Sequence, residues 1–328
     1  MTGWPSRLAA VLLALSVLTA PTARPGGAQS YPARAVKLIV PYAAGGPNDI
    51  MARLIAQKLS TSLGGQFYVE NAAGAGGTIG TGVAAKAPAD GHTLLVANQD
   101  LIVQPIIKSK VPYDPFKSFA PVASLVAAPE MIVVHPSLAA SNMKELLALL
   151  KDNPGKFSYA STGYGTTPHL ACEWLFKLAY GLDVVHVPFQ GAAPAVQSVL
   201  AGHTPIFHIV VPAAAPHVRQ GTMRALAVAS SKRSPFLPDV PTLEEAGTPG
   251  HEVGFWMGLF APAGTSSDLV SLLQGQIAQI LKAPDVKERL ATLGFDPFES
   301  TPEGLSAHMQ AETTKWAKVV REANIKID

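Results

Sequence analysis

Short β-rich runs alternate with helical stretches along most of the chain, and this alternation constrains the fold most strongly. Strands that alternate with helices predict a parallel sheet with helices on both faces, the α/β class. Hydrophobic periodicity gives strands at 35–40, 93–98, 121–126, 131–135, 157–161, 184–189, 225–230 and 254–265. It gives helices at 49–63, 78–86, 141–151, 168–180, 193–201, 266–293 with a break near Pro284, and 302–322.

The first 28 residues have the pattern of a secretory signal peptide. Arg7 supplies a positive start, LAAVLLALSVLTA is an apolar run of signal length, and Gly26 and Ala28 are small residues suited to cleavage. An uncleaved membrane anchor is the alternative. No later run of about 18 apolar residues occurs, so we expect a soluble mature protein in the periplasm.

The length and charge of the mature chain limit its partners. Cleavage leaves 328 − 28 = 300 residues, more than one ordinary core, which predicts two lobes. Loss of Arg7 and Arg24 lowers the net charge from 25 − 23 = +2 to 23 − 23 = 0. A neutral chain lacks the basic patch that nucleic acids or anionic membranes require. Cys172 is the only cysteine, which excludes an intramolecular disulfide.

Two glycine-rich turns precede predicted helices in the first third of the chain. The turn at 42–49 contains Gly45 and Gly46, and the turn at 71–80 reads NAAGAGGTIG. Free N–H groups and the positive dipole end of a helix favour an anion. Alternatively, Asn48 or the aspartate after it caps the first helix. The second turn contains a G-x-G-x-x-G match after QFYVEN, which could serve as a strand, but an earlier strand already begins the fold and no second nucleotide element follows. It also lacks G-K-[ST], so it is either a second backbone cradle or a tight turn.

One pattern of strand, Val-Pro-aromatic, small-residue turn and helix occurs twice, as VPYAAGG at 40–46 and VPFQGAAPA at 187–195. Ligands of open α/β sheets bind beyond the carboxyl ends of strands. If each lobe carries one copy, the two turns face each other across a cleft. Chance is the alternative, because Val-Pro before a turn is common.

The segment ASTGYGTTPHLACEWLF at 160–176 brings hydroxyl groups to the start of a helix, where they suit carboxylate oxygens. Ser161 lacks the preceding glycine of a G-x-S-x-G elbow. His169 and Cys172 share a helical face, but a free cysteine is usually a buried apolar residue. We therefore expect His169 to donate to a ligand or to the neighbouring loop. The nine histidines lie apart without H-x-x-x-H spacing, so neither a metal nor a cofactor is expected.

Seven segments, in order from about Tyr31 to Asp328, make the chain resemble the extracytoplasmic solute receptors of tripartite tricarboxylate transporters, also called Bug-type receptors. These segments are YPARAVKLIVPYAAGGPNDIMARLIAQKL, VENAAGAGGTIGTGVAAKAPADGHTLL, YDPFKSFAPVASL, HLACEWLF, VHVPFQGAAPAV, RALAVASSKRSPFLPDVPTLEEAG and APAGT. The resemblance implies a two-lobed periplasmic-binding-protein fold, type II-like, with a cleft between the lobes. It implies capture of a small carboxylate and delivery to membrane transporter subunits, not catalysis.

The family pattern also implies domain bounds and site residues. A signal peptide at 1–28 precedes lobe 1 at 29–129 and 253–328, with lobe 2 at 130–252 between the two parts, in a monomer. The expected contacts in lobe 1 are Tyr42, Gly45, Gly46, Asn48, Gly76, Gly77 and Thr78. The expected contacts in lobe 2 are Thr162, Thr166, Thr167, His169, Phe189, Gly191, Ala192, His208 and Ile209.

The chain departs from the family pattern at the end of GHTPIFHIV. Ile209 stands where many relatives have an acidic residue facing the cleft, and His208 precedes it. This weakens a ligand with an amino group and favours a dicarboxylate or an aromatic acid. Asn48 also replaces a threonine of the common pattern, so an amide stands where that polar contact is expected.

Two other functions fit the same lobes. The protein could present a ligand to a membrane sensor kinase, which needs the same binding chemistry. A hydrolytic enzyme would need a nucleophile, a base and an orienting group, and the loops contain no such set. A receptor should hinge near 126–131 and 252–256, where the chain passes between the lobes.

Overall fold

A computed structural model of the protein describes residues 31–322 and Ile325. The strands are β1 Val36–Val40, β2 Phe67–Asn71, β3 Thr93–Asn98, β4 Phe119–Val134, β5 Ser158–Ser161, β6 Val185–Pro188, β7 Ile206–Val210, β8 Arg224–Val228, β9 Gly254–Pro262 and β10 Asp296–Pro297. The helices are α1 Pro47–Leu63, α2 Thr78–Ala85, α3 Asp100–Ile107, α4 Met143–Asp152, α5 Thr167–Cys172, α6 Ala192–Leu200, α7 Val211–Arg219, α8 Ser267–Lys282, α9 Pro284–Leu293 and α10 Pro302–Glu322.

The strands form one continuous sheet in the order β2-β1-β3-β9-β4-β7-β5-β6, and β8 and β10 also pair with β4. Here, the first half is β1, β2, β3, β9 and the beginning of β4, and the second half is β5 to β8 and the end of β4. β1 is parallel to β2 and β3, and β5 is parallel to β6 and β7. The central pairs of β4 and β9 are antiparallel, so the prediction of a purely parallel sheet is wrong at the centre.

The strand β4 carries the chain from the first half to the second. Two separate strands, 121–126 and 131–135, were predicted here. Instead, Pro129 still pairs with Gly254 of β9, and the next residue, Glu130, pairs with Val210 of β7. A proline lacks the N–H that a ladder needs, and it is tolerated here because the pairing partner changes at this point.

The turn-to-helix segments follow the predicted pattern closely. The helix α1 begins at Pro47 instead of the predicted Asp49, since proline suits the first helical position. The predicted helix 168–180 divides into α5 and a π-helical segment, Glu173–Ala179. No element was predicted from the sequence at α3, α7, β7 or β10.

Helices pack on both faces of the sheet, as predicted. Neighbouring residues of β1 enter different apolar clusters, Leu38 one and Ile39 the other, as the two-residue period of a strand requires. One cluster includes residues of α1 and α6 to α9, and the other includes residues of α2 to α5 and α10. Both clusters contain residues from both halves, so the halves meet along a packed centre.

The predicted signal peptide lies outside the described residues. Within the described part of the chain, no helix combines the length and the apolar character needed to cross a bilayer.

Candidate functional site

A small cavity of about 40 Å³ lies where the two halves meet. Its walls come from the carboxyl ends of strands and the first turns of helices, as expected for an open α/β sheet. They comprise Tyr42, Ala43, Gly46, Pro47, Asn48, Asn98, Gln99, Glu130, Thr162, Pro168, Ala192, Ile209, Val210 and Phe255. Six of these were predicted from the sequence, namely Tyr42, Gly46, Asn48, Thr162, Ala192 and Ile209.

The two similar turns meet at this cavity. Each follows a parallel strand and precedes a helix, α1 in the first half and α6 in the second. The N–H of Ala43 donates to the carbonyl of Gln190 at 3.0 Å, which joins the turns directly. A Cβ placed on Gly46 would lie 3.6 Å from the Cβ of Ala192, so both helix N-termini border the same space.

Neither helix has a side-chain cap. Gly46 and Gly191 occupy the N-cap positions of α1 and α6, and no side-chain oxygen accepts from either first turn at the cap. The orphan N–H groups and the dipole ends therefore remain available to an anion. The glycine at 191 is required locally, because its φ is 125° and an added Cβ would lie 3.2 Å from the N atom of Ala43.

Asn48 and Asp49 do not cap α1, contrary to the alternative raised from the sequence. The buried Nδ2 of Asn48 has no hydrogen-bond partner within the described chain, and Asn48 lines the cavity. Asp49 turns back to accept from the N–H of Gly45 at 2.9 Å and from Nε of Arg53 at 3.0 Å. Burial raises the pKa of Asp49, but these hydrogen bonds outweigh burial and keep the pKa below its ordinary value. The Nδ2 of Asn48 is thus a donor that remains available to a ligand.

The cavity has no cationic wall. Among the described residues that line it, none is a lysine, arginine or histidine, and Glu130 is the one ionisable carboxyl group. An anion must therefore be held by backbone N–H groups and by amide or hydroxyl donors.

The second glycine-rich turn lies behind Tyr42 and does not line the cavity. Gly77 has a φ of 90°, and a Cβ there would lie 3.1 Å from the Oη of Tyr42. Gly76 contacts the other half, because a Cβ on Gly163 would lie 3.1 Å from its Cα. Thr78 donates its hydroxyl to the carbonyl of Ala75 at 3.0 Å. This turn positions Tyr42, and a direct ligand contact from it stays a prediction.

A buried carboxylate, Asp100, joins the two halves beside the cavity. Tyr42 donates its hydroxyl to Oδ2 of Asp100 at 2.5 Å. From the second half, Thr167 donates its N–H at 2.8 Å and its hydroxyl at 3.0 Å to Oδ1. Burial raises the pKa of Asp100 to about 6, although these hydrogen bonds oppose the shift, and the charge of Glu130 adds to it. Thr167 was predicted to contact the ligand. In the structure its N–H and its hydroxyl both donate to Asp100.

The turn before α5 is held by its own hydrogen bonds. Thr166 donates its hydroxyl to the carbonyl of Gly163 at 2.8 Å. Nδ1 of His169 accepts from the N–H of Gly165 at 3.1 Å, so His169 accepts from the neighbouring loop instead of donating to it. Burial lowers the pKa of His169 to about 4, with a smaller contribution from Lys177. His169 is therefore neutral at neutral pH, as an acceptor at Nδ1 must be.

The remaining predicted residues border the site from outside. Phe189 is partly buried against the apolar cluster of α1 and α6, and Gly45 lies near Ala193 with a φ of 84°. Cys172 is fully buried and burial raises its pKa, which agrees with the apolar interpretation of this cysteine.

A close serine–histidine pair was missed from the sequence. Oγ of Ser161 lies 2.6 Å from Nε2 of His186, a residue 25 positions away whose strand neighbours β5. Ser161 is fully buried and does not line the cavity, and Nδ1 of His186 has no partner among the described residues. Burial and the neighbouring His169 lower the pKa of His186 to about 3, so it is a poor general base.

Glu130 and Gln99 are cavity residues that the sequence did not reveal. Nε2 of Gln99 donates to Oε1 of Glu130 at 3.3 Å, and Oε1 of Gln99 accepts from the N–H of Trp256 at 3.2 Å. His208 does not line the cavity, but its Nδ1 lies 2.6 Å from Oε2 of Glu130. Ile209 forms part of the wall as predicted. The sequence signal that could have indicated Gln99 was the polar triplet at 98–100, which follows the apolar residues of β3.

No group of three or more histidine, cysteine, aspartate or glutamate residues is arranged to hold a metal ion in the part of the chain that the structure covers.

Comparisons with known proteins fit this geometry. The family model described as "Tripartite tricarboxylate transporter family receptor" matches residues 51–325. The protein BugT of Bordetella pertussis is 37% identical over 324 residues, which are 98% of this chain and 99% of BugT.

Solved structures of the same architecture include two that contain a carboxylate. The periplasmic binding protein BugD is 35% identical with a TM-score of 0.87, over 90% of this chain and 99% of that chain. Rpa4515 of R. palustris, solved with adipate, is 32% identical with a TM-score of 0.87, over 90% and 99%. MatC from Rhodopseudomonas palustris, with bound malate, is 35% identical with a TM-score of 0.85, over 88% and 100%. The fold is that of a two-lobed periplasmic binding protein.

Proposed function

Because this chain belongs to the tripartite tricarboxylate transporter receptor family, we propose that it captures a small organic carboxylate and delivers it to membrane transporter subunits. The observation that carries the proposal is the meeting of two uncapped helix N-termini, those of α1 and α6, at one cavity without a cationic side chain. Such termini bind anions through backbone N–H groups and the helix dipole. One carboxylate between them would be bound by both halves at once.

The lobes of the receptor are the two halves of the sheet. We propose boundaries at 129/130 and 252/253, since β4 changes its pairing partner between Pro129 and Glu130. The hinge then comprises 126–131 within β4 and 252–256 at the beginning of β9. A ligand that contacts both lobes favours the closed arrangement, and a membrane partner can recognise that shape. The receptor acts as a monomer in this proposal.

The apolar part of the cavity indicates what accompanies the carboxylate. Ile209, Val210, Phe255 and Ala192 give one side of the wall an apolar character. A dicarboxylate with a methylene chain or an aromatic acid would place its hydrocarbon there. Adipate and malate in the related structures belong to the first of these classes.

Export is part of the same proposal. A receptor that supplies a membrane transporter from outside needs the signal peptide at 1–28 to be cleaved, with a mature N-terminus near Gln29. Mass spectrometry of the periplasmic fraction tests this directly. Soluble protein that still starts at Met1 would contradict it.

A thermal-shift screen of the mature protein tests the central function. Monocarboxylates, dicarboxylates, tricarboxylates and aromatic acids are compared with amines and sugars of similar size. A ligand at about 100 times its dissociation constant should add about 2.7 kcal/mol to the free energy of unfolding. A hit should then bind reversibly, one molecule per chain, without conversion to product. Absence of any carboxylate hit, or turnover of the hit, would overturn the proposal.

A further inference from the structure

Glu130 is an acidic side chain in a cavity that otherwise suits an anion. It is 1% exposed, lines the cavity, and lies on β4 at the point where the chain passes between the halves. A buried carboxylate is costly unless its oxygens receive hydrogen bonds. Its partners therefore decide what the cavity accepts.

The described partners of Glu130 use only part of its capacity. Oε1 accepts one long hydrogen bond, from Nε2 of Gln99 at 3.3 Å. Oε2 lies 2.6 Å from Nδ1 of His208, a salt-bridge contact when that imidazole is protonated, and it accepts no other hydrogen bond in the described chain. An ionised carboxylate has about four acceptor positions. Acceptor capacity thus remains in a buried group that borders the ligand space.

The neighbouring amide strengthens this assignment. Oε1 of Gln99 accepts from the N–H of Trp256, which fixes the amide so that its Nε2 is directed to Glu130. Gln99 thus presents its Nε2, a donor, to Glu130, while its Oε1 already accepts from β9. Glu130 is therefore the carboxyl group of the wall that can accept a hydrogen bond from the ligand.

We propose that Glu130 determines specificity by accepting a hydrogen bond from the ligand, so that the preferred carboxylate also carries a hydroxyl or ammonium donor. This inference rests on the proposed function and narrows its ligand class. The carboxylate binds at the N-termini of α1 and α6, and the donor binds to Glu130. If the part of the ligand that faces Glu130 is a second, ionised carboxylate, the two negative charges repel each other. If that part is only hydrocarbon, the carboxylate of Glu130 does not receive the hydrogen bond.

This assignment changes what Ile209 implies about the ligand. The missing acid at that position argued against a ligand with an amino group. Glu130 supplies a carboxylate from another strand, and Met131, the next residue of β4, pairs with Ile209 in the sheet. The acidic group is thus present in the cavity, but it comes from β4 instead of β7.

Matched ligand series test the inference by isothermal titration calorimetry. Glutarate, 2-hydroxyglutarate and glutamate differ only by a hydrogen, hydroxyl or ammonium group, and benzoate with its 3- and 4-hydroxy derivatives forms an aromatic series. In the wild-type protein, a donor-bearing member should bind about 10- to 100-fold tighter than its bare counterpart, the range for a hydrogen bond to a charged group. The hydroxyl and ammonium arms identify which donor is preferred.

The variant Glu130→Gln measures the role of the carboxylate. It should reduce the ratio of affinities between donor-bearing and bare ligands to within about threefold, because the charge-assisted bond is lost. The ratio is measured within one protein, so a partly unfolded fraction does not affect it. Glu244→Gln, an exposed carboxylate in the same half, should leave the ratio unchanged.

The outcomes separate the inference from the function. If carboxylates bind but no donor-bearing member exceeds its bare counterpart, or if Glu130→Gln keeps the wild-type ratio, the inference is wrong and the receptor function stands. If no carboxylate binds to the wild-type protein, the proposed function fails, and this inference fails with it.

Discussion

Replacing Asp100 with asparagine should change how the stability of the protein depends on pH. Asp100 is buried between the halves, where it accepts from Tyr42 and twice from Thr167. Asparagine keeps the shape and one carbonyl acceptor for Thr167, and its amide can donate to the hydroxyl of Tyr42. The substitution therefore removes the titration of the buried group while it preserves most of the contacts.

The sign of the effect follows from the raised pKa. The pKa of Asp100 is about 6 in the folded protein against an ordinary value of 3.8. The folded state thus binds more protons than the unfolded state between these values, and the contribution of Asp100 is lost as the pH rises through 6. From pH 5 to pH 7.5, this loss amounts to about 1.4 kcal/mol in the free energy of unfolding.

Urea unfolding of the mature protein, followed by circular dichroism at both pH values, measures this effect. The free energy of unfolding of Asp100→Asn minus that of the wild type should be about 1.4 kcal/mol higher at pH 7.5 than at pH 5. The exposed Gln310→Ala, which removes no titratable group, serves as the control, and its difference should not change with pH. A difference for Asp100→Asn that is equal at both pH values would refute the reasoning about its burial.

Three further outcomes are expected. Thr167→Val removes the hydroxyl bond to Asp100 and keeps the backbone bond, so it should lower the free energy of unfolding by about 1–3 kcal/mol in urea unfolding; an unchanged value would mean that this bond does not matter. The imidazoles of His169 and His186 should stay neutral in NMR titrations down to about pH 5, because burial lowers their pKa values to about 4 and 3; protonation near pH 6.5 would show that these imidazoles are not desolvated. Small-angle scattering should give a smaller radius of gyration when a verified ligand is added, with a change in Trp256 fluorescence at the crossing of β9; an unchanged radius would mean a rigid pocket.

The strand–turn–helix units were predictable because their signals are local. The segment from β1 into α1 carries an apolar run, two glycines and a proline at the first helical position, and each signal acts within a few residues. The second such unit, which leads into α6, carries a local signal of its own, Gly191 at the N-cap position of the helix. Their meeting was anticipated from the similarity of the two turns.

The central strand and the polar half of the cavity were not predictable from local pattern. Whether Pro129 ends a strand depends on its partners, Gly254 on one side and the change to β7 on the other. Glu130, Gln99 and Asn98 enter the cavity because β3, β4 and β9 become neighbours, which the sequence does not encode at short range. Sequence patterns therefore found the glycine-rich turns of the site and missed Glu130 and the two amides beside it.

Calorimetric titration of Gly46→Pro beside Gly46→Ala tests the central claim that backbone N–H groups at the helix N-termini hold the carboxylate. The φ of Gly46 is −85°, close to the range of proline, so the substitution mainly deletes one N–H. The alanine control keeps that N–H, and its Cβ would lie 3.6 Å from the Cβ of Ala192, an ordinary contact. Gly46→Pro should weaken the verified carboxylate by about 10- to 100-fold while Gly46→Ala stays near the wild type. Equal affinity in the two folded variants would contradict the account.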